Sequence, residues 1–93
     1  MHSREVHLKS GGRLVIDQTE ALVAIDVNSG KSIKQKNIES TALSTNLEAA
    51  EEISRQIKIR DLSGLIIIDF IDMQNFSNRR LIERKLKEKC RHD

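Results

Sequence analysis

The sequence contains no proline, tryptophan or tyrosine, and it has a single cysteine and two phenylalanines. Because Cys90 is alone, the chain cannot form an internal disulfide framework or a cysteine cage for zinc, which fits a reducing compartment. With Phe70 and Phe76 as the only aromatic residues, the core must be aliphatic. The same scarcity argues against an exposed aromatic platform for stacking nucleic-acid bases.

Long hydrophobic segments are also absent. No apolar run reaches the roughly 18 residues of a membrane span, and the polar N-terminus lacks the apolar segment of a secretory signal. A length of 93 residues predicts one small domain with a modest core. The net charge of +2 is uneven, because residues 79–93 carry seven Lys or Arg against three acidic residues. This basic segment is either a solvated helix face or a contact for phosphate groups.

The strongest structural signal is the aliphatic run of residues 65–68, which ends at Asp69. Consecutive β-branched residues predict a strand that is covered on both faces, as in the centre of a sheet. Asp69 would then lie at the C-terminal end of a central strand, where open α/β sheets place ligand sites. A carboxylate at that position is either a structural partner or a site residue.

The remaining segments predict a small mixed α/β sheet. Residues 1–10 are expected to be an extended lead-in, and turn signals separate two strands, residues 13–17 and 21–28, that form an antiparallel hairpin. Residues 29–37 are polar and basic, which is typical of a loop.

Two amphipathic helices complete the predicted fold. The first is expected to begin with a capping box formed by Thr45 and Glu48, with an i,i+4 pair of Glu51 and Arg55 on its outer face. Its inner stripe consists of Leu47, Ala50, Ile53 and Ile57. The second helix is predicted over residues 78–89, with Ser77 as its cap. Its inner face consists of Leu81, Ile82 and Leu86.

Asp26 is the predicted companion of Asp69, because it too closes an apolar strand. If the two strands run parallel, both carboxylates reach one edge of the sheet, where Asn28 shares the face of Asp26. Oxygen ligands of this kind suit Mg²⁺ or Mn²⁺, which can orient a water and stabilise charge on a phosphoryl group. The competing interpretation is that both aspartates only cap turns, which is the better explanation for Asp72.

Several long blocks of the sequence resemble one known family. They include TEALVAIDVNSG, TNLEAAEEI, RQIKIRDLSGLI and IDFIDM. From about residue 3 to residue 93, the chain closely resembles the catalytic core of the ribonuclease E/G family, in the part called the DNase I-like subdomain. After Met73 the resemblance keeps the pattern but fewer identities.

The resemblance implies an endoribonuclease that cuts single-stranded, often AU-rich RNA. In the family two aspartates hold a magnesium ion, and these match Asp26 and Asp69, while the supporting asparagine matches Asn28. The implied reaction is attack of a metal-activated water on the RNA phosphodiester, which leaves a 5′-phosphate and a 3′-hydroxyl. From charge alone, Lys31, Lys34 and Lys36 are further candidates for contact with the RNA backbone.

The chain also departs from the family pattern. The family's OB-fold domain, its sensor of the RNA 5′ end and its zinc-binding Cys-Pro-x-Cys motif do not match any residues here. Residues 1–93 are therefore expected to be a single partial domain, a truncated subdomain of a larger enzyme. For full-length relatives the resemblance implies a homo-oligomer acting on RNA rather than DNA. It also implies a place in the bacterial cytoplasm or peripherally at the inner membrane.

Two other functions remain open at this point. The chain could be an inactive fragment that serves as an oligomerisation or interaction module, since an open sheet edge invites pairing. It could also be an unrelated small α/β binding domain in which Asp26 and Asp69 are only turn caps.

Overall fold

A computed structural model describes residues 2–29 and 38–90. In this part of the chain, four strands and two helices follow one another in an α/β arrangement. In chain order they are β1 (His2–His7), β2 (Arg13–Gln18), β3 (Leu22–Asn28), α1 (Ile38–Ile59), β4 (Leu65–Asp69) and α2 (Phe76–Cys90). The predicted fold class, a small mixed sheet with two helices, is confirmed.

The four strands form one sheet in the order β1-β2-β3-β4. The predicted hairpin is present as the antiparallel pair β2–β3. Its turn is fixed by Thr19, whose hydroxyl oxygen accepts hydrogen bonds from the N–H groups of Ala21 (3.3 Å) and Leu22 (3.1 Å). The extended lead-in is a true strand, because β1 pairs antiparallel with β2.

The crossover from β3 through α1 to β4 brings these two strands together in parallel. This confirms the condition under which Asp26 and Asp69 were expected to meet. However, the prediction of a central, doubly covered β4 is wrong for the described residues, because β4 lies at the sheet edge. Only one of its faces packs on the core: Leu65 and Ile67 on the other face are 60% and 49% exposed.

The core lies between one face of the sheet and α1. Alternate residues of β2 and β3 point toward the helix, and Ala49 and Ile53 of α1 are fully buried against them. The sheet side of this cluster consists of Leu14, Ile16, Val23, Ile25 and Val27. We call this side the inner face and the opposite side the outer face. Leu86 of α2 packs against the same cluster, and α2 lies against α1.

Helix α1 is longer than expected. It spans Ile38–Ile59, so Thr45 and Glu48 lie inside the helix and the predicted capping box is wrong. The predicted inner stripe is confirmed, with Ala50 and Ile53 fully buried and its other members partly buried. Packing of α2 changes the predicted ion pair: Glu51 contacts Lys85 at 3.4 Å, while Arg55 contacts Glu52 at 3.5 Å.

Helix α2 begins two residues earlier than predicted, and Asn75 rather than Ser77 is its cap. The Asn75 side-chain oxygen accepts from the N–H groups of Ser77 (2.9 Å) and Asn78 (3.3 Å). Ile82 is buried as expected, but Leu81 is 43% exposed, so its predicted inner position is wrong. Neither α1 nor α2, as far as the described residues extend, is long and apolar enough to cross a membrane.

Candidate active site

The outer face carries the two predicted carboxylates side by side. In the parallel pairing of β3 and β4, Asp26 is the direct register partner of Asp69. Neighbouring strands are about 5 Å apart, so the two side chains leave the same face from adjacent positions. Both residues are exposed, although their neighbours Ile25 and Ile68 point into the core. The structure thus brings together residues that are far apart in the sequence.

Asn28 lies on the same face, two residues beyond Asp26 in β3, and is half-buried. The three site residues predicted from the sequence, Asp26, Asn28 and Asp69, are therefore placed together. The other predicted RNA contacts, Lys31, Lys34 and Lys36, lie outside the described residues. Asp72 is exposed, and the capping role expected of it belongs to Asn75.

The sheet register adds a cation that sequence reasoning missed. Arg13 of β2 is the register partner of Asn28 and therefore lies beside it on the outer face. Its guanidinium contacts the Glu5 carboxylate at 3.4 Å, and both side chains are about half exposed, at 47% and 48%. His7, the register partner of Arg13 in β1, approaches Glu5 at 3.2 Å and pairs with it when protonated. Extending the predicted hairpin register to Arg13 would have found this neighbour.

The backbone that leaves the site is tied to α1 by Asn46. The side-chain amide of Asn46 donates to the carbonyl oxygen of Ile71 at 2.8 Å, and its oxygen accepts from the Ile71 N–H at 3.0 Å. Asn46 has no exposed surface. Sequence reasoning assigned Asn46 no role, since no local pattern marks a contact between residues so distant in sequence.

A second tie from α1 holds the turn before α2. The carboxylate of Glu39 accepts from the N–H groups of Gln74 (2.9 Å) and Asn75 (3.4 Å) and from the side-chain amide of Asn78 (2.9 Å). These hydrogen bonds, first that of Asn78 and then that of Gln74, lower the pKa of Glu39 from its ordinary value, and Arg79 adds a smaller effect. Two side chains of α1 thus hold the backbone between Asp69 and α2.

Gly12 allows the β1–β2 connection to approach β3 and α1 closely. A Cβ atom at this position would lie 2.9 Å from the carbonyl oxygen of Asn28 and 3.1 Å from Cγ2 of Thr45. Nearby lies a cleft of about 320 Å³ that is lined mainly by hydroxyl groups. Its lining residues are Ser10, Gly12, Ser29, Ser40, Thr41, Ser44 and Thr45. A polar cleft therefore adjoins the strand that carries Asp26 and Asn28.

Within residues 2–29 and 38–90, no group of three or more His, Cys, Asp or Glu side chains is arranged to hold a metal ion. A cation at this site would therefore have Asp26 and Asp69 as its acidic ligands, with amide or water oxygens completing the set. That donor chemistry suits Mg²⁺, which keeps several waters and is commonly bound through one or two carboxylates.

These features define the class of the molecule: a small α/β unit with paired carboxylates at the end of two parallel strands. The family model of the ribonuclease E/G family matches residues 1–93, and the chain belongs to that family.

Relatives with curated names agree with this assignment. The chain is 57% identical over 90 residues to ribonuclease E of Escherichia coli (strain K12), covering 97% of this chain and 8% of that protein. Ribonuclease E of Buchnera aphidicola subsp. Schizaphis graminum is 58% identical, with 97% and 9% covered. Ribonuclease G of E. coli (strain K12) is 47% identical, with 97% and 18% covered. The chain thus spans less than a fifth of the length of each of these relatives.

Proposed function

We propose that residues 1–93 form the DNase I-like catalytic subdomain of an endoribonuclease, which hydrolyses phosphodiester bonds of single-stranded RNA with the help of Mg²⁺. The observation that carries this proposal is the direct register of Asp26 with Asp69 on the outer face. Membership of the ribonuclease E/G family supports RNA as the substrate class. The larger part of each relative, which this chain does not cover, would supply further RNA-binding surface.

The donor set fits a hard divalent cation. Asp26 and Asp69 offer carboxylate oxygens from adjacent backbone positions, and both are exposed, so a hydrated ion can reach them. When bound, Mg²⁺ would lower the pKa of a coordinated water and offset negative charge on the phosphoryl group. Mn²⁺ has similar ligand preferences and is the expected substitute.

The protein's own groups have separate parts in this proposal. Asp26 and Asp69 would hold the cation, and the side-chain amide of Asn28 would hydrogen-bond a coordinated water or a phosphate oxygen. Arg13, beside Asn28, offers a guanidinium whose planar donors match phosphate oxygens. Glu5 holds that guanidinium in place through the 3.4 Å contact.

The test is cleavage of a 5′-phosphorylated, AU-rich single-stranded RNA by the purified chain, in magnesium and in chelator. We expect cleavage that requires magnesium and that Asp26→Asn abolishes, because one of the two acidic ligands becomes neutral. Asp61→Asn is the matched control: it makes the same charge change in an exposed turn after α1. Asp61 has a φ of 53°, a backbone conformation that asparagine tolerates.

Equal cleavage by the Asp26→Asn and Asp61→Asn proteins would overturn the assignment of the site. A different result is possible, in which the parent chain does not cleave RNA but binds Mg²⁺, and Asp26→Asn loses that binding. This result would support the metal site without supporting catalysis by this chain alone. That result would favour the alternative in which this chain serves as an inactive interaction module.

A further inference from the structure

The buried amide of Asn46 forms hydrogen bonds with the backbone of the segment that follows Asp69. Strand β4 ends at Asp69, and two residues later both backbone groups of Ile71 bond to the Asn46 side chain, at 2.8 Å and 3.0 Å. An amide side chain presents one donor and one acceptor, as a peptide group does. Asn46 therefore pairs with Ile71 as a neighbouring strand would.

This pairing fixes the backbone on the far side of Asp69. On the near side, the parallel ladder with β3 holds residues 65–69 in register. On the far side, Asn46 holds Ile71 from a helix that itself packs on the inner face of β2 and β3. Asp69 is exposed, so little packing around its side chain fixes the direction of the carboxylate. That direction therefore depends on the backbone, which is held on both sides of Asp69.

We propose that Asn46 is a positioning residue for Asp69. By fixing the backbone next to Asp69, Asn46 sets the distance between the Asp26 and Asp69 carboxylates and thereby the affinity of the metal site. This inference rests on the proposed function, since it concerns the same site. Groups that hydrogen-bond the ligands of a metal commonly change its affinity by about 10- to 100-fold when they are replaced. Asn46 bonds Ile71 rather than Asp69 itself, so we expect an effect at the low end of that range. Asn46 contacts the backbone rather than the metal, so it acts through Asp69.

Three variants separate positioning from simple loss of stability. Asn46→Ala removes both hydrogen bonds. Asn46→Asp keeps the oxygen that accepts from Ile71 N–H and, when ionised, places a second oxygen against the Ile71 carbonyl in place of the donor. Leu62→Ala is the matched control, because Leu62 is buried (6% exposed) and lies before the N-terminal end of β4, whereas Asp69 lies at its C-terminal end. The control should lower the melting temperature without disturbing the site.

The first measurement needs no metal. In chelator, amide hydrogen exchange and NMR shifts of the full chain report the backbone around Asp69. We expect the Ile71 N–H to be protected in the parent, to remain partly protected in Asn46→Asp and to exchange freely in Asn46→Ala. The Asp69 carboxyl carbon should shift in both Asn46 variants and not in Leu62→Ala. Unchanged Asp69 signals in the Asn46 variants would overturn the proposal.

The second measurement is Mn²⁺ titration followed by electron paramagnetic resonance, at a temperature where every variant is folded. We expect roughly ten-fold weaker Mn²⁺ binding in Asn46→Ala and unchanged binding in Leu62→Ala. Equal Mn²⁺ affinities of Asn46→Ala and Leu62→Ala would show that Asn46 only stabilises the fold. If the Asp69→Asn protein binds Mn²⁺ as tightly as the parent, the proposed function is wrong. The metal-free spectra then still decide whether Asn46 positions Asp69.

Discussion

The two faces of the sheet are built from the same strands but differ in exposure and in the residues that they carry. In β3, Ile25 is 1% exposed on the inner face, while its neighbour Asp26 is exposed on the outer face. Alternation along a strand separates them, because successive side chains point to opposite faces. The inner face is covered by α1 and supplies most of the core, whereas the outer face carries the candidate active site. Core residues and candidate site residues thus occupy alternate positions along β3.

The largest predicted effect tests the contrast between the faces directly. Ile25→Ala should lower the free energy of unfolding by about 2–5 kcal/mol, because a fully packed side chain is replaced by a cavity. The same truncation on the outer face, Ile67→Ala, removes a side chain of a residue that is 49% exposed and should cost under about 1 kcal/mol. Urea denaturation of the two variants measures both values. Similar losses of stability in the two variants would show that the outer face is packed in solution.

A smaller effect of opposite sign is expected at the site itself. Asp26 and Asp69 repel one another when both are charged and no cation is bound. Asp69→Asn should therefore raise the metal-free free energy of unfolding slightly, by less than about 1 kcal/mol, because the groups are exposed. It should also abolish the rise in melting temperature that we expect from binding of Mg²⁺ to the folded state alone.

Melting curves with Mg²⁺ and with chelator check this prediction, and Asp61→Asn again controls for the change in net charge. A magnesium-dependent rise that persists in both Asp26→Asn and Asp69→Asn would place the ion elsewhere.

The smallest effect belongs to Glu39, which lies on neither face of the sheet. Hydrogen bonds from Asn78 and the 74–75 backbone lower its pKa in the folded state. A depressed folded-state pKa contributes stability above the unfolded-state pKa and loses it as the pH falls through the folded-state value. Glu39→Gln should remove this part of the acid sensitivity.

Melting temperatures between neutral pH and the acidic range, compared for the parent and Glu39→Gln, measure that difference. Because glutamine keeps one oxygen acceptor, the two curves should converge at the acid end. Parallel curves would mean that the ionisation of Glu39 does not contribute to stability.

Local patterns were sufficient for most of the fold. Short apolar segments between turn signals marked β2 and β3, and the assumption that β3 and β4 run parallel brought Asp26 to the same sheet edge as Asp69. The position of β4 in the sheet was predicted wrongly. An aliphatic run indicates that a strand favours apolar surroundings, but it does not indicate which elements cover that strand. Asn46 and Glu39 were missed for a related reason: each bonds backbone groups that are remote in sequence, so their roles depend on how α1 lies over the end of β4.

The parallel pairing of β3 with β4 has a consequence for how the molecule forms. The hairpin of β2 and β3 joins residues that are close in sequence and can close early, whereas parallel strands must wait for a long crossover. We therefore expect Asp26 to be folded into its strand before Asp69 reaches it. Until β4 pairs with β3, a folding chain would have only one of the two carboxylates of the proposed metal site in place.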